Sequence, residues 1–219
     1  MIDLHTHSLL SDGELLPSEL VRRAKVIGYR AIAITDHADA SNVDFVAARL
    51  AKVCPKLSAA WNIHVIAGIE LTHVPLENFR ELVALARKNG AMLVVAHGET
   101  IAEPVIPGTN RKAIECDIDI LAHPGLITPQ DAKLAAKRGI CLEITSRKGH
   151  SLTNGHVAKV AMECGAKLVL NTDAHAPKDL LRQEDALRVV MGAGIPLAYA
   201  RLLFKNSEAL VAKKIKKIS

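Results

Sequence analysis

Nine side chains of metal-binding types share one feature of the sequence: each lies at or shortly after the end of a short apolar run. They are His5, His7, Asp12, His37, Glu70, His97, His123, Asp173 and His175. Because residues that follow parallel strands meet at one rim of a sheet or barrel, we expect these side chains to converge. They are too many for the four-coordinate shell of one zinc ion. The pattern therefore predicts a polynuclear metal site.

The spacing of the outermost ligands supports this interpretation. His5 and His7 are two residues apart, so along a strand their side chains point the same way and form a two-point chelate. Asp173 and His175 repeat that spacing at the last apolar run. A single histidine is more often a buried structural residue than a ligand. Because all nine residues share a position at strand ends, the pattern favours the interpretation that they form a metal site together.

The donor set also indicates which ions and which reaction to expect. Imidazole and carboxylate without thiolate favour Zn²⁺, Mn²⁺ or Fe²⁺ over Ca²⁺ or Mg²⁺. Six neutral imidazoles and three carboxylates carry a formal charge of −3, so two or three divalent ions leave an excess of positive charge that suits an anionic substrate. Ions about 4 Å apart can share a bridging hydroxide and clamp both the attacking and the leaving oxygen. These features predict hydrolysis, with a phosphate monoester as a fitting substrate.

Short apolar segments that lack strict alternation predict strands buried on both faces, as in parallel sheets. They are residues 2–5, 31–35, 64–69, 91–96, 119–122, 140–144 and 167–171. Helical patterns separate them, at about residues 17–27, 43–60 (interrupted by Pro55), 77–88, 129–137, 154–164, 182–191 and a split pair, 197–205 and 207–217. Seven strand–helix units imply an α/β barrel or a large open sheet. No linker divides the chain, so we expect one domain over residues 1–219.

Residues 98–112 interrupt this regularity. The stretch has two prolines, two glycines and no apolar periodicity, and it follows His97 directly. A loop of this length inside a domain is usually functional or mobile. We expect it to overhang the metal site.

Composition narrows the functional classes. The net charge is +5, but four lysines lie in the last seven residues, at positions 213, 214, 216 and 217, and the rest of the chain carries about +1. We expect a solvated basic tail and no extended nucleic-acid surface. The four cysteines show no C-x-x-C spacing, and reduced thiols are expected. No secretory signal pattern and no apolar run of about 18 residues occurs, which predicts a cytoplasmic protein without a membrane span.

At the residues that carry this chemistry, the chain resembles the PHP (polymerase and histidinol phosphatase) family of metal-dependent phosphoesterases. The matching motifs are D-L-H-T-H-S with S-D-G (3–13), T-D-H (35–37), G-I-E (68–70), A-H-G (96–98), A-H-P-G (122–125) and T-D-A-H (172–175). They follow the family's order and cover nearly the whole chain. The resemblance implies a distorted (β/α)7 TIM-like barrel that holds two or three divalent transition metals.

The resemblance also assigns the ligands to three ions. It implies a first ion bound by His5, His7, Glu70 and Asp173, a second bound by Glu70, His97 and His123, and a third bound by Asp12, His37 and His175. Glu70 is then the bridging ligand. Some family phosphatases have histidine where this chain has Asp12, which changes the charge and reach of the third position.

Substrate-binding residues are expected near the same rim. Arg147 follows the sixth predicted strand, where the family places a basic phosphate-binding residue, and its planar guanidinium can bind phosphate with two parallel hydrogen bonds. Lys148 and Arg111 are further candidates for this role, and Asn110 is a weaker one.

Five other polar residues receive secondary interpretations. His150 and His156 are interpreted as surface or capping residues that could line the mouth of the barrel. His64 begins its strand at the opposite end and is excluded from the site. His73 is a candidate for a contact behind the ligands, and Asp36 either orients a ligand or points away.

The leading hypothesis is a phosphoesterase that hydrolyses a small phosphate monoester, with histidinol phosphate as one candidate. In this hypothesis a hydroxide that bridges the metals attacks phosphorus, and the metals and Arg147 offset the developing charge. Asp12 is a candidate proton donor to the leaving oxygen.

Three alternatives stay open. A 3′-end exonuclease or nucleotide phosphatase would use a basic, aromatic-lined channel, whereas aromatic residues are only 3% of this chain. An amidohydrolase-type enzyme would have a bridging lysine where Glu70 stands. A metal-binding domain without catalysis would lack some ligands, and all nine are present.

Overall fold

Parallel strands build the centre of the molecule. The structure is a computed structural model and describes residues 1–215. Its strands are β1 (Ile2–Asp3), β2 (Ala31–Ile34), β3 (His37–Ala38), β4 (His64–Leu71), β5 (Leu93–His97), β6 (Ile120–Ala122), β7 (Cys141–Thr145) and β8 (Lys167–Asn171). The seven predicted strands are all present, and the short β3 is additional. Every strand pairing is parallel.

The order of the strands makes an almost complete ring. Neighbours follow the path β1-β2-β4-β5-β6-β7-β8, and β3 pairs with the carboxyl half of β4. Thr6 and Ala174 form a parallel bridge between the two ends of this path. The backbone N–H of His7 donates to the carbonyl of Ala174 at 2.8 Å, and that of Asp173 donates to the carbonyl of His5 at 2.9 Å. The fold is therefore the expected distorted barrel and not an open sheet.

Within residues 1–215, eight helices surround the strands. They are α1 (Pro17–Val26), α2 (Val43–Trp61), α3 (Phe79–Lys88), α4 (Thr109–Glu115), α5 (Pro129–Arg138), α6 (Asn154–Cys164), α7 (Gln183–Gly192) and α8 (Leu197–Ile215). No helix within residues 1–215 is long and apolar enough to cross a membrane.

Three predicted boundaries were wrong. Helix α2 continues through Pro55, which lies on the exposed face where water can replace the missing backbone donor. Helix α8 is a single helix, and Asn206 at the predicted break donates from Nδ2 to the carbonyl of Leu168 at 2.9 Å. The predicted loop 98–112 ends early, because α4 begins at Thr109.

Two apolar layers hold the barrel together. The larger layer lies between the strands and the surrounding helices. The smaller layer fills the barrel interior and consists of Leu4, Ala31, Ala33, Ile66, Leu93, Val95, Ile120, Ala122, Cys141, Val169 and Val211. Val211 belongs to α8, so the C-terminal helix closes the amino-terminal end of the barrel. All four cysteines are free thiols.

Helix α8 also corrects the prediction of a solvated basic tail. Lys214 is buried, and its Nζ forms an ion pair with Asp119, which in turn pairs with Arg87. A terminal lysine therefore contributes to the closed end of the barrel. Lys216 and Lys217 lie outside the described residues.

Candidate active site

The nine predicted ligands all lie at the carboxyl-terminal end of the barrel. His5 and His7 follow β1, His37 begins β3, Glu70 is near the end of β4, and His97 ends β5. His123 follows β6, and Asp173 and His175 follow β8. Asp12 comes from the loop between β1 and α1, and its Oδ1 is 3.3 Å from Nε2 of His175. The predicted convergence is present in the structure.

The first group of ligands is fully buried. Nε2 of His5 is 3.3 Å from Oε2 of Glu70 and 3.7 Å from Oδ1 of Asp173. Nε2 of His7 is 3.1 Å from the same Asp173 oxygen and 3.6 Å from the same Glu70 oxygen. Two imidazoles and two carboxylates therefore point their ligand atoms at one small volume.

The second group shares Glu70 with the first. Nε2 of His123 is 3.7 Å from Oε1 of Glu70, while the Oε2 atom of Glu70 faces His5 and His7. The rings of His97 and His123 meet edge to face with centroids 4.4 Å apart. The two oxygens of Glu70 thus face different groups, which is the arrangement that a bridging ligand requires.

The third group is the most open. Nε2 of His175 and Nε2 of His37 lie 3.3 and 3.6 Å from Oδ1 of Asp12. The Asp12 side chain is 57% exposed. His7 is close enough to join this group.

Buried polar atoms that have no hydrogen-bond partner indicate whether these residues fit metal ions. Buried ring nitrogens and carboxylate oxygens without a hydrogen-bond partner include His5 Nε2, His7 Nδ1 and Nε2, Glu70 Oε1, His123 Nδ1 and Asp173 Oδ1. Leaving such atoms unpaired costs about 1–3 kcal/mol each. Two ligands that are each about 2.1 Å from one ion lie about 3.0–3.4 Å apart, which matches the 3.1–3.3 Å pairs of His7 with Asp173 and His5 with Glu70. The residues fit divalent ions.

Burial and neighbouring charges together lower the pKa values of three of these groups, Glu70, His7 and His123. Burial alone would raise the pKa of Glu70, but His5 and His37 hold it well below its usual range. Burial and the neighbouring His37 and His5 lower the pKa of His7, and burial also lowers the pKa of His123. These two imidazoles are therefore neutral near pH 7, the form that binds metals.

The backbone is strained where it presents three of the side chains. His73, His123 and Asp173 have positive φ angles of 51°, 27° and 53°. Such conformations are uncommon for residues other than glycine and concentrate at functional sites. His123 and Asp173, two of these residues, have side chains that lie together with that of His5 in one group of candidate ligands.

Known proteins place this arrangement in a family. A family model described as PHP domain matches residues 3–98. The chain is 31% identical to a probable phosphatase of Shewanella pealeana in an alignment of 242 positions, gaps included, that covers 97% of this chain and 91% of that one. The chain belongs to the PHP family. It is also 50% identical to an uncharacterized protein of Methanocaldococcus jannaschii over 195 residues, covering 88% of this chain and 89% of that one.

A solved structure supports the fold of this PHP protein. The barrel is similar to histidinol phosphate phosphatase from Lactococcus lactis, complexed with zinc, L-histidinol and phosphate, with a TM-score of 0.62 and 18% identity. The match covers 89% of this chain and 94% of that one. The prediction of a metal-dependent phosphoesterase is thus confirmed at the level of the family.

Glu143 is a residue that the sequence interpretation missed. It lies in β7 inside the barrel, and its Oε2 accepts hydrogen bonds from His5 Nδ1 at 2.9 Å and from Asn171 Nδ2 at 2.8 Å. With the hydrogen on Nδ1, the Nε2 lone pair of His5 faces the other candidate ligands, Glu70 and Asp173. The signal for Glu143 in the sequence is a single acidic residue within an apolar strand, C-L-E-I-T.

Glu103 is the second missed residue. It lies on the irregular segment 98–108, and its carboxylate contacts Nε2 of His73 at 3.1 Å, of His97 at 3.2 Å and of His150 at 3.4 Å. The segment overhangs the PHP site as expected. His73 therefore reaches the site through Glu103. The interpretation of His150 as a surface residue was wrong: it is buried and stacks on His123 with ring centroids 4.2 Å apart.

The predicted substrate residues have separate locations. Arg147 lines the mouth of the site, and its Nη1 is 3.4 Å from Oδ2 of Asp179. Lys148 is exposed and does not line the mouth. Arg111 points elsewhere, since it pairs with Asp131 between α4 and α5. Of the three, Arg147 alone lines the cavity beside the candidate ligands.

The remaining candidates hold loops. Asn110 bonds the backbones of Glu99 and Pro124. Asp36 accepts hydrogen bonds from Ser8 and Ser11 instead of contacting the candidate ligands, and these bonds fix the loop that carries Asp12.

The other two histidines lie apart from the mouth. Nε2 of His156 is 2.9 Å from the carbonyl of Ile127. His64 begins β4 and is exposed, in agreement with its exclusion from the site.

The mouth of the site is a cavity of about 250 Å³. Its lining consists of Asp12, His37, Thr72, His73, His97, Glu103, Arg147, His150, Asp173 and His175. Five of the nine predicted ligands, Asp12, His37, His97, Asp173 and His175, therefore face a space that is open to a small anionic group.

Proposed function

We propose that this protein hydrolyses a small phosphate monoester, using two or three divalent transition metals (Zn²⁺, Mn²⁺ or Fe²⁺) held by the nine ligands. One observation carries the proposal: nine side chains from separate segments meet in a single site, where buried ring nitrogens and carboxylate oxygens have no hydrogen-bond partner. Such atoms are stabilised when they share cations. A phosphoesterase uses those cations at its reacting centre.

Each part of the site has a role in this proposal. When bound, the ions would lower the pKa of a water molecule and neutralise charge on the phosphate oxygens. His5, His7, Glu70 and Asp173 would hold the first ion, and Glu70, His97 and His123 would hold the second, as the family motifs imply. Asp12, His37 and His175 would hold a third.

Asp12 suits the role of ligand better than that of proton donor. Burial would raise the pKa of its carboxyl group, but hydrogen bonding to His175 and the charges of His37 and His175 bring it below the usual range. A carboxyl group with a lowered pKa is ionised near pH 7. An ionised group binds cations and has no proton to give to a leaving oxygen.

Arg147 would bind the phosphoryl group. Its side chain is 32% exposed and lines the cavity together with His37 and Asp173. A guanidinium at the edge of the metal site adds positive charge where the substrate brings two negative charges. The cavity of about 250 Å³ has room for a phosphate group.

The relatives favour a phosphatase over the alternatives. The Shewanella pealeana relative is named a probable phosphatase, and the similar solved structure is a histidinol phosphate phosphatase. The cavity lining, taken within residues 1–215, includes no Phe, Tyr or Trp on which a nucleic-acid base could stack. Histidinol phosphate is therefore one substrate to test among other phosphorylated metabolites.

The test is a substrate panel with a matched variant. Metal-free protein is loaded with Zn²⁺ or Mn²⁺ and assayed with p-nitrophenyl phosphate, histidinol phosphate, other phosphorylated metabolites and a short single-stranded DNA. We expect turnover of at least one monoester, lost with chelator and in His7→Ala. His64→Ala, at the opposite end of the barrel, is the control and keeps activity. Turnover of DNA alone, or activity that persists in His7→Ala, would contradict the proposal.

A further inference from the structure

Glu103 occupies an unusual position for a carboxylate on a loop. Its Oε2 is 3.1 Å from Nε2 of His73 and 3.2 Å from Nε2 of His97, and its Oε1 is 3.4 Å from Nε2 of His150. His97 and His150 are each more than nine-tenths buried. Three ring nitrogens from three different segments therefore point at one carboxylate.

The hydrogen bond made by Nδ1 of His97 determines whether Nε2, the ring nitrogen that faces Glu103, carries a hydrogen or a lone pair in the neutral imidazole. Nδ1 of His97 is 3.1 Å from the carbonyl oxygen of Gly98. A carbonyl only accepts, so the hydrogen of a neutral imidazole lies on Nδ1 and the lone pair of Nε2 points at Glu103. Two lone pairs at 3.2 Å repel each other unless a proton or a metal ion lies between them. That separation is also the spacing of two ligands on one ion, about 3.0–3.4 Å.

We propose that Glu103 is an additional metal ligand, supplied by the 98–108 segment to the ion that His97 and His123 bind, and that the phosphate of the substrate displaces it. The inference rests on the proposed function. It adds a loop carboxylate to the nine motif residues. Before substrate binds, that carboxylate occupies the coordination position of the ion that the phosphate later takes.

The setting of Glu103 supports displacement. Its side chain is 38% exposed, whereas those of Glu70 and Asp173 are 0% and 4% exposed. A catalytic ion keeps one position for water or substrate. An exposed loop carboxylate can leave that position, and buried strand-end carboxylates are fixed there by packing.

Hydrogen bonds hold the loop residues before and after Glu103, which leaves the Glu103 side chain free to turn. Oε1 of Glu99 accepts hydrogen bonds from the backbone N–H groups of Gly108 and Asn110. Thr100 Oγ1 is 2.8 Å from Nδ1 of His150. When displaced, Glu103 still has His73 beside it at the outer edge of the cavity, so its charge has a partner away from the ion.

Charge gives the physical reason for the exchange. Glu103 and a phosphate dianion are both anionic and both suit the same ion, so they compete. Removal of the carboxylate should therefore weaken metal binding and strengthen phosphate binding. A purely structural role for Glu103 would not change these two affinities in opposite directions.

The first measurement is the affinity for Mn²⁺ alone. Chelator-treated wild type, Glu103→Gln and Glu81→Gln are titrated with Mn²⁺ by calorimetry. Glu81 is an exposed residue of α3 and controls for the loss of one negative charge. We expect one class of Mn²⁺ site to weaken about 10- to 100-fold in Glu103→Gln, the range seen when groups that support a metal site are removed. Glu81→Gln should match wild type.

The second measurement is the affinity of the Mn²⁺-saturated proteins for inorganic phosphate. We expect phosphate to bind several-fold more tightly to Glu103→Gln than to wild type. Unchanged Mn²⁺ affinity in Glu103→Gln would overturn the role as ligand, and weaker phosphate binding would overturn displacement. A wild-type protein that takes up no Mn²⁺ would overturn the proposed function as well, so the two failures are distinguishable.

Discussion

Glu143 and His5 are joined by a hydrogen bond of 2.9 Å between Oε2 and Nδ1, and neither side chain is exposed. The two residues are 138 positions apart in the chain, one in β7 and the other after β1. The bond fixes the ring of His5 with its Nε2 toward Glu70 and Asp173. It also places a carboxylate behind the imidazole, where it increases the basicity of the ligand nitrogen.

Replacing Glu143 with glutamine should therefore weaken the first metal position. Glutamine keeps the volume, but its amide places a donor where Glu143 Oε1 is buried without a partner. We expect metal affinity to fall about 10- to 100-fold. Calorimetric titration with Zn²⁺ measures this change, with circular dichroism to verify the fold. Wild-type affinity in Glu143→Gln would show that the bond to His5 has no effect on the metal.

Arg147→Ala should raise the KM for a phosphorylated substrate. The guanidinium lines the cavity, and a charged hydrogen bond contributes about 1.5–3 kcal/mol, so the KM should rise roughly tenfold or more. Lys148→Ala is the matched control, because it removes a positive charge from the next, exposed residue. Steady-state kinetics of both variants, with the phosphate monoester that wild type hydrolyses most efficiently, measure the two KM values. Equal KM values for the two variants would remove Arg147 from the substrate site.

Gly125→Ala should disturb the segment that carries Glu103. Gly125 has a φ of +60°, and a Cβ atom there would lie 1.7 Å from the carbonyl oxygen of Glu99. Gly139 also has a positive φ, of +72°, but a Cβ atom there has no neighbour within 4 Å. We expect Gly139→Ala to cost about 1–2 kcal/mol for the backbone conformation alone.

Gly125→Ala should lower the free energy of unfolding by about 1–3 kcal/mol more than Gly139→Ala does, which is the range for forcing atoms into occupied space. Urea unfolding of the two variants measures both free energies. The clash also predicts weaker Mn²⁺ binding in Gly125→Ala, since Glu99 must shift and Glu103 with it. Equal stabilities for the two variants would mean that the segment adapts without strain.

Asp119→Asn should destabilise the closed end of the barrel. Asp119 pairs with the buried Lys214 and with Arg87, and the substitution leaves Lys214 without a carboxylate. Breaking a buried ion pair in this way costs about 3–5 kcal/mol. Lys214→Met should cost less, because Arg87 Nη2 still pairs with Asp119 at 2.7 Å. Thermal or urea unfolding of both variants tests this order, and a larger loss in Lys214→Met would contradict it.

The contribution of Asp119 to the free energy of unfolding should depend on pH. Burial would raise the pKa of Asp119, but Arg87 and Lys214 bring it below its usual value. The ionised carboxylate therefore stabilises the fold above the unfolded pKa of about 3.9, and this contribution is lost as the pH falls through the lower folded pKa. The difference in unfolding free energy between wild type and Asp119→Asn should shrink below about pH 4. A difference that stays constant from pH 7 to pH 3 would show that Asp119 is not the group responsible.

Much of the site could be predicted because its residue types follow strands. The chain alternates seven buried apolar runs with helical patterns, and local periodicity is enough to locate such elements. The rule that parallel strands end at one rim then brings His5, His97 and Asp173 together without any coordinates. The site residues found in this way were the candidate ligands at the strand ends.

The sequence by itself determined the types of the candidate ligands, their positions after the strands and the identity of the family. The tertiary structure decided what depends on contacts between distant segments. The bridge from Thr6 to Ala174 closes the barrel, Glu143 reaches His5, Glu103 reaches three imidazoles and Lys214 enters the barrel floor. An isolated acidic residue in a strand, a glutamate in an irregular loop and a lysine in a basic run look ordinary in a sequence. Their roles arise from partners that only folding brings within a few ångströms.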